Sequence, residues 1–133
     1  MSPYLYEDDG LPEGFKFPQA FLDLMALPEI PYYEPWWFIT KFPEEAKGWI
    51  QMLRESYPSR VLIPFAKYDC YDDVACFDGT DLSGDPVVHI VHYGASEGWE
   101  RNGTFRNFEE WLEEAQEDME EWKTSRGPEA RTH

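Results

Sequence analysis

Arg60-Val61-Leu62-Ile63-Pro64-Phe65-Ala66 is β-branched and aromatic, and the same character returns in Val74-Ala75-Cys76-Phe77-Asp78 and in Pro86-Val87-Val88-His89-Ile90-Val91-His92-Tyr93. These three runs decide the fold class. Each has the length of a strand, and turn residues bound it. Residues 67–73 form a polar loop, and Gly79-Thr80-Asp81-Leu82-Ser83-Gly84-Asp85 is turn chemistry throughout. Three successive strands on short loops predict an antiparallel meander. Pro64 has no N–H for a ladder, so its place in the first run predicts an edge, a bulge or a strand end.

Helical patterns flank the meander. Upstream, residues 1–16 read as an irregular arm, and residues 17–27 as a short helix. Pro18 suits the first helical position, and Phe21, Leu22, Leu24 and Met25 form the apolar side. Pro28, Pro31 and Pro35 block further helix, and Trp36-Trp37-Phe38-Ile39 reads as a short strand. Pro43-Glu44-Glu45 opens a second helix, with acids near the positive end of its dipole. Ala46, Trp49, Ile50, Leu53 and Tyr57 share its apolar face, and Pro58 ends it.

Downstream, residues 94–103 form a loop carrying Glu97 and Trp99. Asn107 then caps a helix with Glu110 three residues on, a capping box with Asn in the Ser/Thr place. Phe108, Trp111, Leu112, Ala115, Met119 and Trp122 make its stripe, and Gly127-Pro128 predicts its end, with a frayed tail over 124–133. The order predicts one α+β domain across 1–133. It is a twisted, largely antiparallel sheet packed by helices, closing on an acidic amphipathic helix.

The chain has 133 residues, with 27 Asp or Glu against 11 Lys or Arg, a formal charge of −16. Only 28 residues are Leu, Ile, Val or Phe. That is a small supply for a charged chain, and the six Trp and eight Tyr supply the remaining core area. A nucleic-acid backbone or an anionic membrane would be repelled at long range. No apolar run is long enough to span a bilayer, and the start lacks the basic and apolar segments of a secretory signal. Two cysteines make no disulfide framework, so the expected location is the cytoplasm. Of the net charge, −5 falls in residues 1–66 and −11 in residues 67–133, which directs a cationic partner to the second half.

Few residues point to catalysis. His89 and His92 lie three apart on a predicted strand, hence on opposite faces, where they cannot share a metal. Cys70 sits among Asp69, Asp72 and Asp73, which opposes a thiolate, and Cys76 reads as a buried bystander. Asp69, Asp72, Asp73, Asp78, Asp81 and Asp85 crowd one hairpin region without the spacing of a calcium loop. No phosphate loop, dinucleotide fingerprint, nucleophile elbow or zinc-protease motif occurs. The expectation is no catalytic residue, no metal and no cofactor.

Two surfaces suit a protein partner instead. One is the final helix, where Glu109, Glu110, Glu113, Glu114, Glu117, Asp118, Glu120 and Glu121 repel at i,i+4 spacings; a plainly solvated face has the same composition. The other is Tyr68-Asp69-Cys70-Tyr71-Asp72-Asp73, where rigid aromatic anchors stand beside charges, unless the tyrosines fold back onto the core. The expected interface joins Tyr68, Asp69, Tyr71, Asp72 and Asp73 to Glu97 and Trp99 in one exposed acidic, aromatic patch at the sheet's rim.

Val61-Leu62-Ile63-Pro64-Phe65-Ala66, Val74-Ala75-Cys76-Phe77-Asp78, Pro86-Val87-Val88-His89-Ile90 and the segment from Thr104-Phe105 to Trp111-Leu112 together resemble the SUKH superfamily, the Smi- and Knr-like proteins. The resemblance covers about residues 57–122, and its most specific pieces are I-P-F-A at 63–66 and F-E-E-W-L at 108–112. It implies an α+β domain with a non-enzymatic role. Bacterial members are mostly immunity proteins that neutralise a cognate polymorphic toxin, often a nuclease; eukaryotic members are regulators and adaptors. Leu27-Pro28-Glu29-Ile30-Pro31 stands where members commonly carry an Asn-Gly-Gly-like turn, which leaves the subfamily open. The leading expectation is a cytoplasmic immunity protein for a basic toxin. The alternatives are a regulatory scaffold of the Smi/Knr type and a small carboxylate-dependent hydrolase.

Overall fold

The strand-forming runs pair in sequence order. The computed structural model describes residues 3–69, 72–94 and 101–132. The elements are α1 (Gln19–Met25), β1 (Trp36–Phe38), a 3₁₀ turn (Ile39–Lys41), α2 (Pro43–Ser56), β2 (Leu62–Tyr68), β3 (Asp73–Asp78), β4 (Val88–His92), β5 (Arg101–Phe105) and α3 (Phe108–Thr132). The strands form one five-stranded sheet in the order β1-β2-β3-β4-β5, every pair antiparallel. The expected meander is its centre, and the fold is α+β.

The sheet is wider than the three central runs. β5 falls where a loop is expected, because Asn102 and Gly103 read as turn residues. Pairing with β4 overrides that weak local preference: Gly103 lies opposite Ile90 and Thr104 opposite His89, with a register shift between Ile90 and Val91. The proline in β2 behaves as its missing donor requires. The β2–β3 register shifts between Pro64 and Ala66, a bulge at the proline.

Both faces of the sheet are covered. On one, Trp36, Phe38, Ile63, Phe65, Phe77, Val88 and Ile90 pack with Phe21 and Met25 of α1 and Phe108, Trp111 and Ala115 of α3. Phe21 is the hub: its ring lies within 6.5 Å of the rings of Phe17, Phe38, Phe65, Phe77 and Phe108. Edge-to-face aromatic packing therefore builds the core that the short aliphatic supply could not. On the other face, Leu53 of α2 and Tyr57, the residue that caps it, cover Leu62, Val74, Cys76 and Val91, with Trp49 and Tyr93 at the margin.

The ends differ from expectation in instructive ways. Residues 3–16 hold no helix or strand, yet Tyr4 and Tyr6 are buried in the main core. The backbone of Tyr4 donates to Thr40 O at 2.8 Å. Pro18 is extended and serves as the cap of α1 instead of its first residue. At the N-terminus of α3 the capping pair forms: Glu110 N donates to Asn107 Oδ1 at 2.9 Å, and Glu110 Oε1 accepts from Arg106 N at 2.8 Å. α3 then continues through Gly127 and Pro128 to Thr132. The proline's cost is finite, about 3 kcal/mol, and the long upstream run already supplies the helix nucleus. The backbone through Thr132 is thus helical where a frayed tail over 124–133 is expected.

Candidate functional site

Period-2 alternation places Trp36 and Trp37 on opposite sides of β1, and the same alternation splits Tyr68 from Asp69 at the end of β2. Trp36 lies opposite Tyr68 in the β1–β2 register, and their rings meet edge to face at 5.1 Å. Across them runs α3. Trp36 Nε1 donates to Asp118 Oδ2 at 2.9 Å, which ties strand and helix together. Between them opens a cleft with Trp36, Tyr68 and Phe105 as aromatic walls and Asp73, Glu114 and Asp118 as carboxylates.

The electrostatics of this cleft are unbalanced. Glu114 and Asp118 stand one helical turn apart on α3. Partial burial, then the charge and hydrogen bonding of Asp118, hold the Glu114 carboxyl above the ordinary glutamate range. Asp73 is half-buried and its Oδ1 lies 2.9 Å from His92 Nδ1. Among the described residues, no Lys or Arg lines the cleft. The arrangement is suited to receiving a cation between aromatic faces and carboxylates.

Asp69 belongs elsewhere. It lines a shallow groove with Tyr32, Trp37, Phe42 and Glu45, on the other side of β1 from the cleft. Asp72 is exposed in the turn between β2 and β3. The predicted single patch is therefore divided: Tyr68 and Asp73 face the cleft under α3, and Asp69 faces the groove beside Trp37. Tyr71, Glu97 and Trp99, with Cys70, lie outside the described residues. Trp36, Trp37, Tyr32, Phe42 and Phe105 are absent from the predicted interface. For Trp36 and Trp37 the signal was present in the doublet itself, since neighbouring indoles on a strand must look to both faces.

The histidines do separate by face. His89 Nε2 lies 3.0 Å from Asp78 Oδ2, and its Nδ1 lies 3.3 Å from Thr104 Oγ1 on the neighbouring strand. The row has the connectivity of a hydroxyl, a base and a carboxylate. Its local role is structural: His89 is buried and both ring nitrogens are engaged, as burial of an imidazole requires. Asp78 also accepts from Thr80 N at 2.9 Å and Thr80 Oγ1 at 2.6 Å, closing the turn after β3. Burial raises the Asp78 pKa, but the Thr80 and His89 hydrogen bonds outweigh that and leave it below the ordinary aspartate range. Asp81 is held low by Ser83, and its carboxylate accepts from Ser83 N and Val87 N. Asp78 and Asp81 thus serve turns.

Cys76 is fully buried, and burial alone pushes its thiol far up. Among the described residues, no group of three or more His, Cys, Asp or Glu side chains is placed to hold a metal ion. No helix among them is long and apolar enough to cross a membrane. No known protein family, curated protein or solved structure matches the chain.

Proposed function

We propose that this protein is a non-enzymatic binding module of the kind its SUKH resemblance implies, a cytoplasmic immunity protein that neutralises a basic cognate toxin by protein–protein contact. The observation that carries this reading is the cleft under α3. It brings Tyr68 and Asp73 together with Glu114 and Asp118 of the acidic helix. A cationic side chain of the partner entering between Trp36 and Phe105 offsets the burial and the Asp118 repulsion that hold Glu114 above its ordinary range. The charge of −16 steers such a partner from a distance and makes its arrival salt-dependent.

The test is co-expression with the product of the adjacent gene, followed by binding kinetics of the purified pair at low and high salt. The expected outcome is relief of that product's toxicity, with an association rate that falls as salt rises. A toxic neighbour that neither binds nor is relieved overturns the reading.

A further inference from the structure

The groove beside Trp37 has a different character from the cleft under α3. Tyr32 is 62% exposed and Phe42 43%, among the few large apolar side chains that the described surface leaves open. Trp37 and Phe42 meet edge to face at 5.9 Å. The groove encloses about 360 Å³ and lies at β1, the edge strand of the sheet. Glu45, in the first turn of α2, and Asp69, just past β2, supply its carboxylates. Neither carboxylate has a hydrogen-bond or ion-pair partner among the described residues. Clustered exposed aromatic rings supply the kind of rigid anchor that docking surfaces use.

The chain itself shows what these rings accept. Lys41 Nζ stands 3.9 Å over the centre of the Tyr32 ring and 5.9 Å from that of Phe42. The electron-rich faces of the groove's outer rings thus already hold an ammonium, while the carboxylates at Trp37 are left for a second cation. A guanidinium suits that place better than an ammonium. It is planar, stacks on an indole, and forks to two carboxylates at once. A second copy of this chain is the wrong occupant on charge, since two bodies of −16 repel.

We propose that this groove seats an arginine of the partner protein, its aliphatic stem on Trp37 and Phe42 and its guanidinium between Glu45 and Asp69. The proposal rests on the protein-binding reading above and adds a second contact point, on the opposite side of β1 from the cleft. A partner gripping both places would clasp the edge of the sheet.

The experiment uses the full chain, ¹⁵N-labelled, titrated with the blocked tripeptide acetyl-Leu-Arg-Leu-amide and with its citrulline counterpart, which keeps the shape and removes the charge. The readout is the indole N–H of Trp37, assigned with Trp37→Phe. The expected result is a saturable shift with the arginine peptide. Binding should be weaker by about tenfold with citrulline, and by about tenfold in the Glu45→Gln/Asp69→Asn double variant, whose other signals stay in place. No saturable shift, equal affinity for both peptides, or undiminished affinity in the double variant overturns the proposal. So does a response confined to the Trp36 indole, or concentration-dependent self-association that covers Trp37 without peptide. The two readings fail separately. A toxin that binds wild type and double variant alike removes the groove and leaves the binding function, whereas a peptide seated at Trp37 with no toxin partner does the reverse.

Discussion

The hydroxyl of Tyr6 donates to the carbonyl of Pro64, 58 residues further along the chain. The bond closes a problem that the proline creates. Pro64 sits inside β2 at the register shift, where the ladder is interrupted, and a buried carbonyl there needs a donor from elsewhere. Tyr6 reaches it from a left-handed backbone conformation, φ 65°, which a tyrosine adopts only when its surroundings fix it. The irregular N-terminal arm is in this way a working part of the sheet.

Replacing Tyr6 with Phe keeps the ring and removes the donor. The expected cost is about 1–3 kcal/mol, the price of a buried acceptor left unmatched. Urea unfolding of the two proteins should show the midpoint falling with an unchanged slope. A midpoint equal to wild type would show that water or another donor serves Pro64 equally well.

The same arm makes the protein sensitive to alkali. Tyr4 donates to Asp9 Oδ2 at 2.5 Å, and burial followed by that hydrogen bond pushes its pKa up from 10.0 to about 12. Burial also drives Tyr6 well above the ordinary tyrosine range. Both groups keep their protons in the folded state where the unfolded chain has lost them. Their contribution is complete below pH 10.0; that of Tyr4 is lost as pH rises toward about 12, and that of Tyr6 begins to be lost over the same rise. Thermal melts across that window should fall for wild type and fall less steeply for Tyr4→Phe. Parallel slopes would contradict this assignment.

Acid acts through a different place. The Asp78 carboxylate lies below its ordinary range because Thr80 and His89 bonds overcome the effect of burial. A depressed carboxyl contributes stability above the unfolded pKa of 3.8 and loses it as pH falls through the lower folded value. Asp78→Ala should cost about 1–3 kcal/mol at neutral pH, since it strands a buried imidazole and opens the turn. The variant should also lose less stability than wild type on acidification below pH 3.8. An equal loss in both would place the acid sensitivity in other carboxylates.

How far the sequence revealed this molecule depends on which physical signal each part carries. The central strands were legible because β-branched runs between turn residues say the same thing locally and globally. α2 was legible to within a residue, Pro43–Ser56, because Pro43 and Pro58 punctuate it at both ends. β5 was hidden: Asn102 and Gly103 favour a turn, and only pairing with β4 makes them a strand. The burial of Tyr4 and Tyr6 was hidden for a like reason, since an arm of Pro, Gly and acid has no period to read. The grouping of the candidate site residues was half legible. Composition pointed to Tyr68 and Asp73, but the sheet decided that they meet Asp118 while Asp69, next to Tyr68, meets Trp37.

In the proposed complex, the carboxylates of the cleft set the pH dependence of binding. Glu114 is held above its ordinary range by burial and by Asp118 beside it. A partner cation placed between them stabilises the ionised form, so binding releases a proton over the pH range where the free carboxyl is still partly protonated. Affinity for the partner should therefore rise as pH climbs from the ordinary glutamate range through the raised one, and level off above it. Glu114→Gln should flatten that rise and weaken binding at neutral pH by about 1–2 kcal/mol, a charge-assisted contact reduced to a neutral one. The free variant should be more stable than wild type at neutral pH by a few tenths of a kcal/mol, roughly what a like-charge pair at i,i+4 costs. Calorimetric titrations in buffers of different ionisation enthalpy, run at acidic pH just above the ordinary glutamate range, read the proton released directly. Zero release by wild type, or a pH profile unchanged in Glu114→Gln, would remove the cleft from the interface.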